Sequence, residues 1–516
     1  MITKVYLLSV PLDKDYKNTF YFGSATDQKS YFNSKIKHSF TDFTYQRKDN
    51  TIRIPLDYDT AIKCNYVMYQ NTNESSKWFY AFITDYQWSD EDTTTLTIQT
   101  DVLQTYAFDY TVLTSFVERE HVADDTIGLH TLPENIETGE FKCIQYDTDA
   151  ELIDTHIVLG TTVDSMGENV QGGNYNGIYS GVKYYSYDSE TGTGFVNSFI
   201  QILTNGTEIN DFKGGKIDAL QCIFLAPKFL TTDDEGTLGV AHSNTMKTYQ
   251  KTITEKQPTI PVKNNKCLTF PYRHILVSNN NGGSAVYKYE SFAEGLNFSI
   301  QGALTPGCSV RLVPKKYKGV ELNNEEGLNL GKYPICNWNS DVFTNWLTQN
   351  SVNIGLNIAS GVAQIVGGVG VALASGGVGV AVGGSSVVGG VSAITTQLAQ
   401  IHQMSFTPPQ SHGNINCGDV ITASDTNTYH FYQMSIKDEY LKIIDEYFDM
   451  FGYKCNRVKI PEKNHREHWW YTKTIDVNIT GDIPQNDLET IKNCYNAGIT
   501  FWKDDIKNYA RTNAII

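Results

Sequence analysis

Between residues 342 and 418 the chain contains no Asp, Glu, Lys or Arg, although these four residue types make up 19% of its 516 residues. We call residues 342–418 the apolar segment. A run of this length without charge is too apolar to remain exposed to water. Its ends also lack the cluster of Lys and Arg that fixes the orientation of a membrane protein. The missing charge therefore sets this segment apart from the Tyr-, Thr- and Asn-rich remainder, whose composition is typical of a soluble β protein.

The chain also lacks a basic excess, paired cysteines and an apolar N-terminal leader. Its formal net charge is −16 at pH 7, which argues against a nucleic-acid binder that holds phosphates with a basic patch. Nine cysteines occur singly, without a C-x-x-C pair, so we expect reduced and mostly buried thiols. The N-terminal sequence MITKVYLLSV has too short an apolar core for a secretory signal, which predicts synthesis in the cytoplasm.

No catalytic or metal-binding pattern stands out. Carboxylates and histidines cluster at Glu118, Glu120, His121, Asp124, Asp125 and His130. Such a cluster can perform acid–base chemistry or hold a metal. Its spacing is irregular and no nucleophile or glycine nest adjoins it, so we favour a charged, exposed connection between domains. His465 and His468 stand in H-R-E-H, which differs from the H-E-x-x-H motif of metalloproteases. We predict no enzymatic activity, no catalytic residue, no metal site and no cofactor.

The apolar segment is built mainly from Gly, Ala, Val, Ile and Ser. A bilayer core needs roughly 20 apolar residues for each helical crossing, so residues 351–396 suffice for two crossings with a turn at 375–377. Twelve glycines between residues 351 and 400 disfavour an isolated helix in water, because each interior Gly costs about 1 kcal/mol relative to Ala. In a membrane the same small residues allow close helix packing, and Gly379 and Gly383 form one small-xxx-small match.

Three interpretations of the apolar segment are open. It is a buried hairpin in the core of a large β domain, a constitutive membrane anchor, or a segment stored in a protein assembly and later released into a membrane. We favour the third, in which its larger apolar side chains insert into the bilayer. These are Ile354, Leu356, Ile358, Val362, Ile365, Val366, Val369, Val371, Leu373, Val378, Val380, Val382, Val387, Val388 and Ile394.

The first 130 residues have the pattern of a β meander. Strands are predicted at residues 51–55, 64–69, 78–88 and 95–99, where aromatic and β-branched residues dominate. Alternation within the third strand places Trp78, Tyr80, Phe82, Thr84 and Tyr86 on one face. Both faces of this strand are largely apolar, so we expect it to be covered on both sides or to lie at an interface. Residues 101–106 favour a single helical turn or a short helix, and residues 142–330 remain strand-like.

Helical patterns flank the apolar segment. Ser340 is a suitable N-cap for a short helix that would lead into it. After it, the apolar positions Tyr440, Ile443, Ile444, Tyr447, Phe448 and Phe451 predict an amphipathic helix that ends at Gly452. Residues 475–479 alternate like a strand. Residues 484–497 predict a second helix, ended by Gly498.

Three features of this sequence resemble a known family. One is VEREHVADDTIGLHTLPEN at residues 117–135, which follows TLTIQTDVLQTY at residues 95–106. The second is the late position of the Gly/Ala/Val-rich run. The third is IDEYFDMFGYKCNRVKIP at residues 444–461, followed by GDIPQNDLETIKNCYNAGITFW at residues 481–502. Together they resemble the tail knob (distal tail tube) proteins of small short-tailed bacteriophages of the phi-29-like type, over roughly half of the chain.

The resemblance implies a mainly β fold of tube-forming barrel or meander domains, with a few short helices and a long hydrophobic loop. It implies an N-terminal tube domain (1–130), an outward knob domain (131–335), a membrane-penetrating loop (336–418) and a C-terminal segment that returns to the tube (419–516). Such a protein lies at the distal end of the virion tail as a homo-oligomer, a hexamer, in contact with other tail and collar proteins.

In that family the hydrophobic loops plug the tube and, on infection, enter the host membrane as a pore for genome ejection. Phage DNA would then pass through the lumen without specific binding. A soluble pore-forming protein, a receptor-binding adhesin and a cell-wall hydrolase are the alternatives.

Overall fold

The structure is a computed structural model that describes residues 3–41, 50–71, 77–161, 174–175, 178–179, 183–188, 220–231, 236–238, 246–337 and 427–516. The apolar segment, all fifteen residues predicted to insert into a membrane, and the helix predicted from Ser340 lie outside these ranges. The mainly β composition predicted from the sequence is confirmed within them.

In the first half of the chain, the described residues form fourteen strands and four short helices. The strands are β1 (Thr3–Leu8), β2 (Asn18–Phe20), β3 (Ile36–Phe40), β4 (Thr51–Ile54), β5 (Tyr66–Asn71), β6 (Phe79–Asp90), β7 (Thr93–Thr100), β8 (Tyr110–Val112), β9 (Ser115–Glu120), β10 (Phe141–Thr148), β11 (Thr155–Thr161), β12 (Asn174–Tyr175), β13 (Ile178–Tyr179) and β14 (Lys183–Asp188). The helices are α1 (Ala25–Ser34), α2 (Tyr58–Ala61), α3 (Val102–Thr105) and α4 (Ala150–Ile153). The short helix predicted after residue 100 is therefore confirmed as α3.

The described part of the second half forms fifteen strands and two longer helices. The strands are β15 (Leu220–Pro227), β16 (Gly236–Leu238), β17 (Lys247–Ile253), β18 (Arg273–Ser278), β19 (Ser284–Tyr287), β20 (Leu296–Gly302), β21 (Val310–Tyr317), β22 (Val320–Leu322), β23 (Leu328–Asn329), β24 (Ile335–Asn337), β25 (His430–Ile436), β26 (Tyr453–Lys459), β27 (Trp469–Ile475), β28 (Ile479–Gly481) and β29 (Ile499–Trp502). The helices are α5 (Asp438–Phe451) and α6 (Gln485–Ala497).

The chain divides into two compact units. Unit 1 comprises Met1–Glu140, Thr259–Tyr272 and Ile436–Ile516, and unit 2 comprises Phe141–Pro258 and Arg273–Ser435. Unit 1 is therefore assembled from both ends of the chain and a short central stretch.

Two large sheets form most of unit 1. One is built wholly from N-terminal strands in the order β3-β1-β5-β6-β7-β4. The other has the order β2-β29-β27-β9-β26 and interleaves N-terminal with C-terminal strands. In it β2 runs parallel to β29, whereas β27 and β26 pair antiparallel with β9. The second sheet thus joins the two ends of the chain into one core.

Strand β6 is covered on both faces in its first half, as the sequence predicts. Tyr80 and Phe82 pack in one core cluster, and Ala81 packs in another. The predicted alternation is wrong for Tyr86, which lies in the cluster of Ala81. A β-bulge between Ile83 and Asp85 inserts an extra residue opposite β7 and reverses the faces beyond it.

Helix α5 confirms the amphipathic helix predicted before Gly452, but its buried face is different. Its buried residues are Leu441, Ile444, Asp445, Phe448 and Asp449. Ile443, predicted to face the core, is 63% exposed. The inward carboxylates explain the difference, because Asp445 accepts hydrogen bonds from the backbone N–H groups of Lys263 and Asn264 at 2.9 and 3.0 Å.

The second predicted helix, α6, is confirmed, and Gly498 ends it with φ +96°. The strand predicted at residues 475–479 is wrong. Strand β27 ends at Ile475, and Asp476 takes the left-handed conformation with φ +52°. This turn interrupts the extended backbone before β28 begins at Ile479.

Unit 2 is built from antiparallel sheets in the orders β10-β25-β18-β19, β16-β14-β11-β15-β24 and β17-β20-β21-β22. A single apolar cluster connects them, with Val158, Phe224, Ile275, Phe298 and Phe431 among its fully buried members. The described residues stop after β24 and resume before β25, on either side of the apolar segment. Both of these strands belong to sheets of unit 2.

Candidate functional site at the roots of the apolar segment

Two buried tyrosines lie close to the points where the chain leaves and re-enters the described residues. We call residues 330–337 and 427–436 the roots of the apolar segment. Tyr333 in the first root and Tyr429 in the second are 1% and 0% exposed, and both belong to the unit 2 core.

The second root is anchored by hydrogen bonds from its side chains to the backbone. The Tyr429 hydroxyl accepts from the N–H of Leu312 at 3.1 Å and donates to the carbonyl of Leu328 at 2.8 Å. The Thr428 hydroxyl donates to the carbonyl of Asp149 at 2.7 Å. Because these buried groups would be left without partners if the root moved, the contacts fix the chain at its point of re-entry.

The first root is held in the same core and lies next to the second. The Tyr333 hydroxyl donates to the carbonyl of Leu152 at 2.9 Å, and its backbone N–H donates to the carbonyl of Cys308 at 2.9 Å. The two roots meet where the side-chain amide of Asn427 donates to the carbonyl of Gly331 at 3.5 Å. The two roots therefore lie side by side in unit 2.

The acidic cluster at residues 118–130 was predicted to be an exposed connection, and its first part is not. Glu120 closes strand β9 and is 0% exposed, and His121 is 1% exposed. Strand β9 is an interior strand of its sheet, with β26 and β27 on its two sides, which explains the burial. Asp124 is exposed, in agreement with the prediction, and accepts from Thr126.

Charges from distant parts of unit 1 balance the buried acids. Glu134 pairs with both Arg119 and Lys266, and it also accepts from the backbone N–H of Lys454 at 2.9 Å. Burial lowers the pKa of Lys266, and the nearby Glu134 carboxylate opposes this shift. Glu120 pairs in turn with Lys459. These contacts join β9, the central stretch and β26.

Both ring nitrogens of the buried histidine in this cluster, His121, form hydrogen bonds with the backbone. His121 Nε2 donates to the carbonyl of Asp449 at 3.0 Å, and Nδ1 accepts from the N–H of Tyr471 at 2.7 Å. Burial lowers the pKa of His121 to about 3, so it stays neutral at physiological pH. Both ring nitrogens are occupied by backbone groups, which leaves neither for proton transfer or metal binding.

Other reactive side chains of the described residues are the remaining histidines and the cysteines. They contain no group of three or more His, Cys, Asp or Glu that could hold a metal ion. His468 of the H-R-E-H stretch lies 3.2 Å from Asp504 through Nδ1. Seven of the cysteines in the described ranges are free, and six of these seven are buried. Within the described ranges, no helix combines the length and apolarity needed to cross a bilayer.

The fold matches a solved phage structure over its whole length. The structure of the bacteriophage C1 tail knob protein, gp12, superposes with a TM-score of 0.66 and covers 100% of both chains at 14% sequence identity. The fold is therefore that of a bacteriophage tail knob protein.

Sequence comparison defines the family. The profile described as Bacillus phage phi29, Tail knob protein gp9, C-terminal domain, matches residues 237–514, and Caudoviral major tail protein N-terminus matches residues 2–111. Tail knob protein gp9 of Bacillus phage PZA is 27% identical over 99% of this chain and 98% of its own length. The gp9 proteins of Bacillus phages B103 and phi29 are 26% and 25% identical over 98% and 99% of this chain, and 97% and 98% of their own lengths.

The chain belongs to the phi29 gp9 family of tail knob proteins. It is a structural component of the virion tail, and the resemblance inferred from its motifs is confirmed. The sequence motifs identified the family but did not point to the roots, because Tyr333 and Tyr429 belong to no motif. Their importance follows only from the hydrogen bonds that they form in the folded core.

Proposed function

We propose that this chain forms the distal tail tube as a homo-hexamer whose apolar segments plug the lumen before infection. On infection the segments leave the tube, enter the host membrane and line a pore through which the genome passes. The carrying observation is that a stretch without charged residues departs from and returns to a single place in unit 2. A segment tied at both ends to a folded core can move as a hairpin while the core stays intact.

Two further features support this proposal. Strands within residues 18–120 and 453–502 share one sheet, which supports a tube wall built from both ends of the chain. The proposed division is a tube wall from residues 1–130 and 419–516, a knob at 131–335 and a loop at 336–418. The net charge of −16 suits a lumen along which polyanionic DNA slides without specific binding. In this account the chain is not an enzyme, and its partners are its own copies, other tail and collar proteins and the host membrane.

Dye release from liposomes tests membrane entry. We expect the purified protein to release an entrapped dye, and the Val366→Asp, Val380→Asp double variant to do so at least about tenfold more slowly. The reason is that an Asp at the centre of a membrane helix costs about 2.5–3.5 kcal/mol.

Val286→Asp is the matched control, because Val286 is 46% exposed in β19 of unit 2. It should leave dye release unchanged. Equal release by all three proteins, or equal loss in the control, would contradict membrane insertion by the apolar segment.

A further inference from the structure

Strand β26 is an open edge of the second sheet in unit 1. Among the described strands it pairs with β9 alone, so its other side has no strand partner, although the N–H of Lys454 donates to Glu134. A cleft of about 440 Å³ lies against it, lined by Lys454, Arg457 and Lys459 of the strand and by Leu129 and Leu132 opposite. An open edge beside a cleft is the arrangement that accepts an added strand.

Two apolar side chains at this edge are exposed to water. Val458 and Ile460 are 70% and 56% exposed, although the strand also has basic residues and a bulge between Lys454 and Arg457, which are features that protect edges. Lys459 is neutralised by Glu120 and Glu462. Lys454 and Arg457, by contrast, form no ion pair with any described residue. The strand therefore combines exposed apolar side chains with unpaired basic ones, while Glu120, Asp124 and Glu462 also line the cleft beside it.

A second open edge in unit 1 has the complementary character. Strand β6 pairs with β5 only from Phe79 to Phe82, so residues 84–90 have β7 on one side and no described strand on the other. Trp88 in this outer half is 66% exposed. Asp85 and Asp90 lie on the same stretch, and Glu91 and Asp92 follow in the turn. Arg53 pairs with Asp90, which leaves the stretch with an acidic excess.

We infer that the outer half of β6 in one copy of this chain adds to the edge of β26 in a second copy. Both stretches have seven residues, both are open edges, their charges are opposite, and each offers an exposed apolar anchor. The two surfaces are unlike, so the contact runs head to tail, and repeating it gives a ring where the rotation between successive copies closes. The inference rests on the homo-oligomer of the proposed function and assigns the surfaces that build it.

Photo-crosslinking tests the contact directly. Trp88 is replaced by p-benzoylphenylalanine, and assemblies are formed from a mixture of ¹⁴N- and ¹⁵N-labelled protein. Irradiation should link position 88 of one isotope form to residues 454–460 or 129–132 of the other. The same photoreactive residue at Ile443, which is 63% exposed on α5, should give no link to these residues.

A charge exchange tests the same contact without a crosslinker. Arg457→Glu should raise the dissociation constant of the assembly at least about tenfold, because it replaces the attraction between Arg457 and the acidic stretch of β6 by repulsion. Adding Asp85→Arg to this variant should restore the dissociation constant to within about threefold of the wild-type value. Lys442→Glu is the control for a change of surface charge, since the Lys442 side chain is 72% exposed on α5, and it should leave assembly unchanged.

The outcomes separate this inference from the proposed function. Rings that form normally but crosslink elsewhere, with no rescue by the exchange, overturn the β6–β26 contact and leave the tube intact. If crosslinks at β26 appear only when another tail protein is added, the partner of this edge is that protein and not a second copy of the chain. A chain that stays monomeric at every concentration overturns the homo-oligomer as well.

Discussion

Asp101 shows how a single buried carboxylate shapes the N-terminal core. It is 2% exposed and caps α3 by accepting from the N–H groups of Leu103 and Gln104, both at 3.1 Å. The Tyr66 hydroxyl donates to it at 2.8 Å. Burial raises the pKa of Asp101 to about 6 in spite of these bonds. The folded state thus binds a proton more tightly than the unfolded state, so Asp101 adds stability as pH falls and loses it as pH rises through about 6.

This shift predicts a pH-dependent difference between the wild type and Asp101→Asn. The free energy of unfolding of the wild type, relative to the variant, should rise by about 1 kcal/mol from pH 7 to pH 5. Urea denaturation at the two pH values measures it. A difference that stays constant with pH would contradict a raised pKa for Asp101.

One methyl group added at Gly452 is expected to have a large effect on the free energy of unfolding. It has φ +64°, and a Cβ there would lie 2.1 Å from the carbonyl oxygen of Glu120. Gly452→Ala should therefore lower the free energy of unfolding by at least about 2 kcal/mol, as measured by urea denaturation. Gly23→Ala is the control, because nothing lies within 4 Å of its added Cβ. Equal stability of the two variants would show that α5 ends without this close approach.

At the scale of single elements, the two roots depend on hydroxyl groups at the centre of unit 2. Tyr429→Phe removes the acceptor of the Leu312 N–H and the donor to Leu328. We expect a loss of about 1–3 kcal/mol in the free energy of unfolding, the cost of leaving buried backbone groups unsatisfied. Tyr146→Phe is the matched control, since its hydroxyl bonds His430 from a half-exposed position, and it should cost less than about 1 kcal/mol. A reversed order would mean that the second root is not held through Tyr429.

The elements that the sequence predicted are those with strong local patterns. Helices α5 and α6 and strands β4 to β7 follow from periodicity and from their terminal glycines. Strand β1 and helix α1 were missed, because the apolar run of β1 was considered only as a secretory signal and α1 has a weak apolar face. The left-handed backbone conformation of Asp476 and the bulge in β6 could not be predicted, because the pattern of apolar residues does not indicate either of them.

The burial of residues 118–121 was mispredicted for a different reason. The partners of these charges are far away in sequence, for Lys459 pairs with Glu120 and Lys473 pairs with Glu118. A local pattern shows a run of charges and predicts a solvated surface. Only the topology that places β9 between β26 and β27 brings the compensating groups into contact.

At the scale of the whole molecule, the chain combines a folded core of two units with a stretch of different chemistry. The units account for the described residues, and their fold agrees with the C1 tail knob protein over the full chain. The apolar segment carries no charge and is tied at both roots to unit 2. We propose that this segment acts on the membrane and that the folded core does not require it.

Deletion of residues 353–399, with the flanks joined by a short Gly/Ser linker, tests this claim most directly. Electron microscopy would report on rings or tubes, and liposome dye release on membrane activity. We predict that assembly and thermal unfolding stay as in the full chain while dye release is lost. A deleted chain that fails to fold or assemble would show that the segment belongs to the core, and it would contradict the account.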